Sequence, residues 1–180
     1  MSISGWLARP RVLVGLALAA LAGIAGFQCP ASPAASAHYT ALAKAPPPDE
    51  RIAGYRPDDL RHDFQALGPQ GLRGYVAYRV LDLFFPWLLC GLVGAVLVRL
   101  EAAALLPLCA LAAGVDTAEN AALGATLLTR DALAPALVAW ASALTQWKFA
   151  AYSLMGLALL VAGLRRAWLA RRYTPGGSRR

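Results

Sequence analysis

Charged residues are scarce in this chain of 180 residues: 15% are charged, whereas 58% are hydrophobic. A soluble domain has about 25% charged residues, so this composition indicates that the chain lies in lipid rather than in water. The scarcity of charge excludes a disordered polar tail and an ordinary soluble enzyme of this size.

Cysteines and catalytic motifs are also scarce. The three cysteines, Cys29, Cys90 and Cys109, form no C-x-x-C pair, which excludes a disulfide-stapled miniprotein and gives no support for thiol-redox chemistry. His62 has no second histidine at ligand spacing, and there is no Walker loop, G-x-S-x-G or HExxH motif. We predict no metal, no cofactor and no catalytic residues. A non-enzymatic protein is favoured over an intramembrane enzyme that uses an Asp/Glu pair.

Basic residues outnumber acidic ones by 17 to 10, and their positions carry the information. Arg9 and Arg11 precede the first apolar run, and a cluster of arginines follows the last one. This positive-inside pattern predicts a multi-pass protein of the bacterial plasma (inner) membrane with both termini in the cytoplasm. The arginines are expected to contact the headgroups of membrane lipids, and no interleaved basic and aromatic surface indicates binding to nucleic acid.

The apolar runs predict an all-α protein, a four-helix transmembrane bundle with a short extracytoplasmic amphipathic helix. The predicted segments are a cytoplasmic N-terminus (1–11), TM1 (12–28), an extracytoplasmic loop (29–74) with a helix at 57–67, TM2 (75–98), a cytoplasmic turn (99–101), TM3 (102–127), an extracytoplasmic loop (128–135), TM4 (136–164) and a basic cytoplasmic tail (165–180).

Two of these segments have alternative interpretations. TM1 is either an uncleaved signal anchor, which we favour, or a signal peptide that is cleaved at Ala35-Ser36-Ala37. The last apolar run is either one long helix or two shorter passes that turn at Gln146-Trp147-Lys148. Because that tripeptide contains no Gly or Pro, we predict one long helix.

Polar residues inside the predicted spans are the most informative feature of the sequence. Asp82, Glu119 and Lys148 each lie 17 residues from the cytoplasmic end of their span, or about 25 Å along a helix. A charge that faces lipid costs at least about 2.5–3.5 kcal/mol, so these side chains should point inward and meet. The predicted cluster is Arg79, Asp82, Asp116, Glu119, Asn120, Gln146 and Lys148.

Three carboxylates in this cluster face two cations, so either one acid is protonated or another cation joins. The cluster either fixes the register of the helices or forms a pocket just beneath the outer face of the membrane. We predict that the cluster binds a lipophilic ligand or a partner membrane protein. The partner is either a different protein or a second copy of this chain. The alternative is a proton-coupled transporter or channel component that uses the same carboxylates.

A set of short motifs also resembles a group of small four-span bacterial membrane proteins of unknown activity. The matching motifs are Gly54-Tyr55-x-Pro57-Asp58-Asp59, Leu67-Gly68, Gly71-x-Arg73-x-Tyr75, Asp82-x-x-x-Pro86, Asp116-x-x-Glu119-Asn120 and Lys148. The resemblance implies a four-helix membrane bundle with a helical extracytoplasmic segment after the first span. It implies no activity and no cofactor. This chain departs from the pattern at position 56, which is Arg56 here, whereas a Ser or Thr helix cap is usual at that position.

Overall fold

A computed structural model describes residues 3–29, 32 and 35–173, and all regular structure within these residues is helical. The predicted all-α class is therefore confirmed for this part of the chain. The helices are α1 (Ile3–Leu7), α2 (Pro10–Gln28), α3 (Ser36–Ala43), α4 (Pro57–Arg99), α5 (Leu106–Leu128) and α6 (Pro135–Tyr173). Single 3₁₀ turns occupy Pro48–Glu50, Ala103–Leu105 and Arg130–Ala132.

Three of these helices are long and apolar enough to cross a membrane: α2, α4 and α6. The chain is therefore a helical membrane protein. The last apolar run forms a single helix of 39 residues, with no break at Gln146-Trp147-Lys148. The 23-residue helix α5 falls outside this group, because its hydropathy is lowered by Asp116, Glu119 and Asn120.

The structure of α4 corrects the predicted boundary between the loop and TM2. Residues 69–74 are helical rather than part of a loop, and the only residue inside α4 with non-helical backbone angles is Gly68. Its φ of 58° and ψ of −176° lie in a region that only glycine adopts readily. Pro69 then starts the second part of α4, because its fixed φ and missing N–H suit the first turn of a helix.

The start of α4 does not depend on a Ser or Thr cap. The backbone N–H of Arg56 donates a hydrogen bond of 2.7 Å to Asp59 Oδ2. This bond closes the first turn at the position where the sequence departs from the resembling group.

Other boundaries also differ from the prediction. Helix α3 lies inside the predicted loop, and Ala35-Ser36-Ala37 falls at its start. Helix α6 continues well into the predicted basic tail. The end of that tail (174–180), the first two residues and Pro30, Ala31, Pro33 and Ala34 of the loop lie outside the described residues.

Helices α4, α5 and α6 pack together, and α2 and α3 pack against α4. Their buried apolar side chains form two separate clusters. The loop-side core is rich in aromatic and large aliphatic residues and includes Tyr39, Tyr55, Leu60, Phe64, Leu67, Tyr75, Tyr78, Leu123, Val138 and Leu144. The distal core consists mainly of small residues and comprises Cys90, Leu97, Cys109, Ala112, Ala113, Ala151, Met155 and Ala162.

Candidate functional site

Polar side chains separate the two apolar cores. In α6, for example, Leu144 belongs to the loop-side core and Ala151 to the distal core, and the polar residues Thr145 and Lys148 lie between them. We use the term polar layer for seven buried residues: Asp49, Arg79, Asp82, Asp116, Glu119, Asn120 and Lys148. Six of the seven are residues that the sequence predicted to converge.

Lys148 and Glu119 form one half of the polar layer, between α5 and α6. Lys148 Nζ lies 2.6 Å from Glu119 Oε2, and Glu119 is 0% exposed. The Thr145 hydroxyl donates a hydrogen bond to the other carboxylate oxygen of Glu119. One oxygen of this carboxylate therefore has a hydrogen bond and the other, Oε2, has the ion pair with Lys148 but no hydrogen bond among the described residues, and the pair ties α5 to α6.

Arg79 organises the other half, on α4. Its Nη2 lies 2.7 Å from Asp49 Oδ1 and 3.2 Å from Asp82 Oδ2, so one nitrogen serves two acids. The guanidinium lies over the ring of Tyr78, 4.7 Å from its centroid, and the Tyr78 hydroxyl donates a bond of 2.7 Å to Asp49 Oδ2. Arg79 Nε and Nη1 are buried without a hydrogen-bond partner among the described residues. Such groups are rare in proteins because they cost free energy.

Asn120 and Asp116 connect the two halves. Asn120 Nδ2 donates bonds of 3.3 Å to the backbone carbonyl of Asp82 and to Asp116 Oδ1. The Tyr152 hydroxyl donates a bond of 2.7 Å to Asp116 Oδ2. Asp116 has no ion pair within the described part of the chain. Asn120 Oδ1 is buried and has no hydrogen-bond partner there.

Of the two alternatives for the charge balance, a protonated acid or an additional cation, the second is not seen among the described residues of the polar layer. The seventh member is a fourth acid, Asp49, so four buried carboxylates face Arg79 and Lys148. Burial alone would raise the pKa of Asp49, but the charges of Arg79 and Lys148 and the hydrogen bond from Tyr78 outweigh it and lower this pKa. Asp49 is therefore a carboxylate at neutral pH, and it adds to the negative charge of the layer.

Gln146 is not part of the polar layer, which corrects the prediction. It is exposed, and its Nε2 donates a bond of 3.3 Å to the backbone carbonyl of Ala53. A side chain two positions before Lys148 lies about 200° around the helix from it, so the two cannot share a face.

Gln146 helps to hold the loop that carries Asp49. The backbone N–H of Tyr55 donates a bond of 3.0 Å to Ser142 Oγ. Between these two anchors Gly54 has a φ of 81°, and a Cβ there would lie 2.5 Å from Ser142 Oγ. The loop can approach α6 this closely only with glycine at position 54.

Four residues that complete the layer were not predicted from the sequence: Asp49, Tyr78, Thr145 and Tyr152. Thr145 and Tyr152 lie three residues before and four residues after Lys148, so helical spacing alone would have placed them on its face. Asp49 gave no comparable signal, because an acid in a polar loop normally faces water.

Two depressions in the side of the molecule reach the polar layer. The α4–α5 groove has a volume of about 420 Å³ and reaches Arg79 and Asn120. Its remaining wall is apolar and consists of Val76, Val80, Leu83, Ala121, Gly124, Ala125, Leu127 and Leu128. The α2–α4 pocket has a volume of about 220 Å³ and is lined by Ile24, Phe27, Gln28, Glu50, Tyr78, Asp82 and Phe85.

Within the described residues, no three His, Cys, Asp or Glu side chains are placed to hold a metal ion together. Comparisons with protein-family models, with curated proteins and with solved structures give no match to this chain. The resemblance to small four-span bacterial proteins therefore stays a prediction.

Proposed function

We propose that the protein binds a lipophilic molecule in the α4–α5 groove, with the polar head of that molecule at the polar layer. The observation that carries this proposal is an apolar groove that reaches two buried polar side chains, Arg79 and Asn120, whose hydrogen-bonding capacity is incompletely used. Ligand sites typically combine a mainly apolar wall with a few convergent polar groups. A groove between helices of a membrane protein is filled from the lipid phase.

The groups around the end of the groove favour an uncharged head. Arg79 already faces two carboxylates, and the layer as a whole has an excess of acid, so an anionic head would add to that excess. Arg79 Nε and Nη1 can donate, and Asn120 Oδ1 can accept. A hydroxyl group offers both the acceptor and the donor that these atoms lack.

For the membrane arrangement, we propose that α5 is a fourth span, with the loop and the first part of α4 outside the cytoplasm and both termini inside. Helix α5 has 23 residues, or about 35 Å, which is enough to cross the hydrocarbon core. Its polar residues face α4 and α6 rather than lipid. The arginines at the ends of the first and last apolar helices support this orientation.

The groove can be tested by filling it without touching the polar layer. A Cβ at Gly124 has no atom within 4 Å, so Gly124→Leu should fold normally while it fills the groove. Gly114→Leu is the matched control, because Gly114 lies on the same helix, has the same open space and is outside the groove. The measurement is photo-crosslinking of a long-chain alcohol that carries a diazirine to the purified protein in mild detergent, followed by peptide mapping.

We expect the alcohol to label peptides that contain residues 76–83 or 121–128. Gly124→Leu should lower this labelling at least about five-fold, and Gly114→Leu should leave it unchanged. Labelling that is spread evenly over the lipid-facing helices, or that is equal in the two variants, would refute binding in the groove.

A second candidate function is proton transfer through the membrane. The observation that favours it is Asp116, a buried carboxylate that has hydrogen bonds from Tyr152 and Asn120 but no ion pair within the described residues. Buried acids of this kind form proton relays in pumps and transporters. Four spans without an internal repeat are few for a transporter, so this function requires several copies of the chain.

A further inference from the structure

We propose that the α2–α4 pocket is a second site, which binds an organic ammonium group. The pocket lies on a different face of α4 from the groove, since Tyr78, Asp82 and Phe85 share one helical face. Its volume of about 220 Å³ is many times the roughly 10–15 Å³ that one water requires. This site goes beyond the proposed function and does not depend on it.

Aromatic rings form one part of this pocket. The ring of Phe27 packs edge-on against Tyr78, with centroids 5.0 Å apart, and against Phe85 at 5.3 Å. The ring of Tyr78 already has one cation against it, the guanidinium of Arg79. Aromatic faces attract ammonium groups through the ring quadrupole, and aromatic pockets are a recurrent means of binding quaternary ammonium.

Two carboxylates, Asp82 and Glu50, form the other part. Asp82 is only 7% exposed, and its Oδ2 has no hydrogen bond within the described residues. Its single ion pair there, at 3.2 Å, is with an Arg79 nitrogen that lies closer to Asp49. Asp82 is therefore incompletely neutralised by the protein itself.

Glu50 lies exposed at the rim of the pocket, and its carboxylate has a hydrogen bond from Ser36. The Tyr78 hydroxyl donates its proton to Asp49 and lies 3.5 Å from Glu50 Oε1. Burial and the neighbouring charge of Asp49 raise the pKa of Glu50. A cation in the pocket would stabilise the ionised form of both acids.

The charge and shape of the pocket distinguish between classes of ligand. An anion would face the excess negative charge of the polar layer, and a neutral group would leave that excess in place. Calcium requires six to eight oxygen ligands, whereas two carboxylates beside aromatic rings suit a large, weakly hydrated cation. The ammonium group could belong to a lipid headgroup or to a small soluble molecule, and the two sources share this chemistry.

The test uses the purified full chain in a nonionic maltoside detergent and two probes. One is tetramethylammonium chloride, and the other is dodecyltrimethylammonium chloride below its micellar concentration, each compared with sodium chloride at the same ionic strength. We expect a saturable rise in melting temperature with an ammonium probe and none with sodium. Binding of tetramethylammonium would indicate a soluble source, and binding of the dodecyl probe alone would indicate a lipid headgroup.

Three variants separate the site from general effects. Glu50→Gln and Phe27→Leu should each weaken binding about ten-fold, a loss of about 1.4 kcal/mol. Both positions lie at the edge of the polar layer, so these variants should fold even where Asp82→Asn does not. Glu101→Gln, at the exposed ion pair with Arg166, should bind as the wild type does.

The proposal would be overturned if neither probe bound saturably. It would also be overturned if Glu50→Gln bound the probes as tightly as the wild type does. Gly124→Leu should bind ammonium normally, because the groove and the pocket are on different faces of α4. Failure of ammonium binding with intact labelling of the groove would therefore refute this site alone. Failure of groove labelling with intact ammonium binding would refute only the proposed function.

Discussion

The two cations of the polar layer are bound in different ways. Lys148 has one close acid, Glu119, and a hydroxyl satisfies the remaining oxygen of that acid. Arg79 shares one nitrogen between Asp49 and Asp82, and its other two nitrogens have no hydrogen-bond partner among the described residues. The α5–α6 half is therefore closed on itself, whereas the α4 half has unused capacity and borders both side openings.

This difference assigns separate roles to groups that look alike in the sequence. A buried ion pair between two helices, in which each charge has one close partner, fixes the relative position of those helices. A buried cation with unused donors is poised to accept another partner. We infer that the α5–α6 half holds the bundle together and that the α4 half supplies the binding capacity.

The largest expected effect comes from breaking the closed half. Glu119→Gln keeps the shape of the side chain but leaves Lys148 without its close acid, and we expect a loss of about 3–5 kcal/mol in the free energy of unfolding. The double variant Glu119→Gln/Lys148→Met should lose less than Glu119→Gln alone. Titration of detergent-solubilised protein with SDS measures these values.

Glu101→Gln is the control for that experiment, because its ion pair with Arg166 is exposed and should be worth no more than about 1 kcal/mol. Additive losses in the double variant would show that Lys148 and Glu119 do not stabilise the bundle as a pair.

A smaller effect is expected from Asp49→Asn in the open half. Arg79 keeps Asp82 as a partner, so we expect a loss of about 1–3 kcal/mol at neutral pH. Because the folded-state pKa of Asp49 is lowered, its contribution is present above the ordinary pKa of Asp and is lost as the pH falls through the lowered value. The difference between wild type and variant should therefore shrink below about pH 4.

The exposed Asp131 provides the matched control for the substitution, since Asp131→Asn should leave stability nearly unchanged at neutral pH. A difference that grows on acidification would contradict the ion pair between Asp49 and Arg79.

The smallest effect is expected from Asp116→Asn. This carboxylate has no ion pair among the described residues, and its replacement lowers the excess of buried acid, so stability should change by less than about 1 kcal/mol, in the stabilising direction. If Asp116→Asn lowered the free energy of unfolding as much as Asp49→Asn does, the presence or absence of an ion pair would not explain the difference between these acids.

The same variant tests the proton-transfer candidate. In liposomes with an internal pH-sensitive dye, wild-type protein that conducts protons should dissipate a pH gradient faster than Asp116→Asn. Equal rates for the wild type, the variant and protein-free liposomes would exclude this function.

The sequence was sufficient to predict the helical part of the polar layer. Asp82, Glu119 and Lys148 could be placed at one level by counting along helices of regular rise, and the cost of a charge in lipid required them to turn inward. Gln146 was assigned by depth alone, and the prediction was wrong because helix rotation places it on another side.

The loop could not be predicted in the same way. Asp49 reaches Arg79 through a non-repetitive segment whose path depends on contacts with residues about 90 positions later in the chain. Spacing rules apply within a helix and carry no information about such contacts. The continuation of α4 beyond Gly68 was missed because Gly-Pro normally ends a helix, whereas here Gly68 makes a bend and Pro69 begins the next turn.

The attachment of this loop to α6 has a consequence for the order of assembly during synthesis. Asp49 emerges from the ribosome long before Ser142 and Gln146, the two side chains that hold the neighbouring backbone of the loop. Until α6 is in place, the loop can be held only by its contacts with α4, which include the ion pairs of Arg51 with Asp63 and of Asp49 with Arg79. The polar layer is thus completed as a late event of synthesis, when α6 supplies Lys148 to the layer and the two anchors that fix the loop.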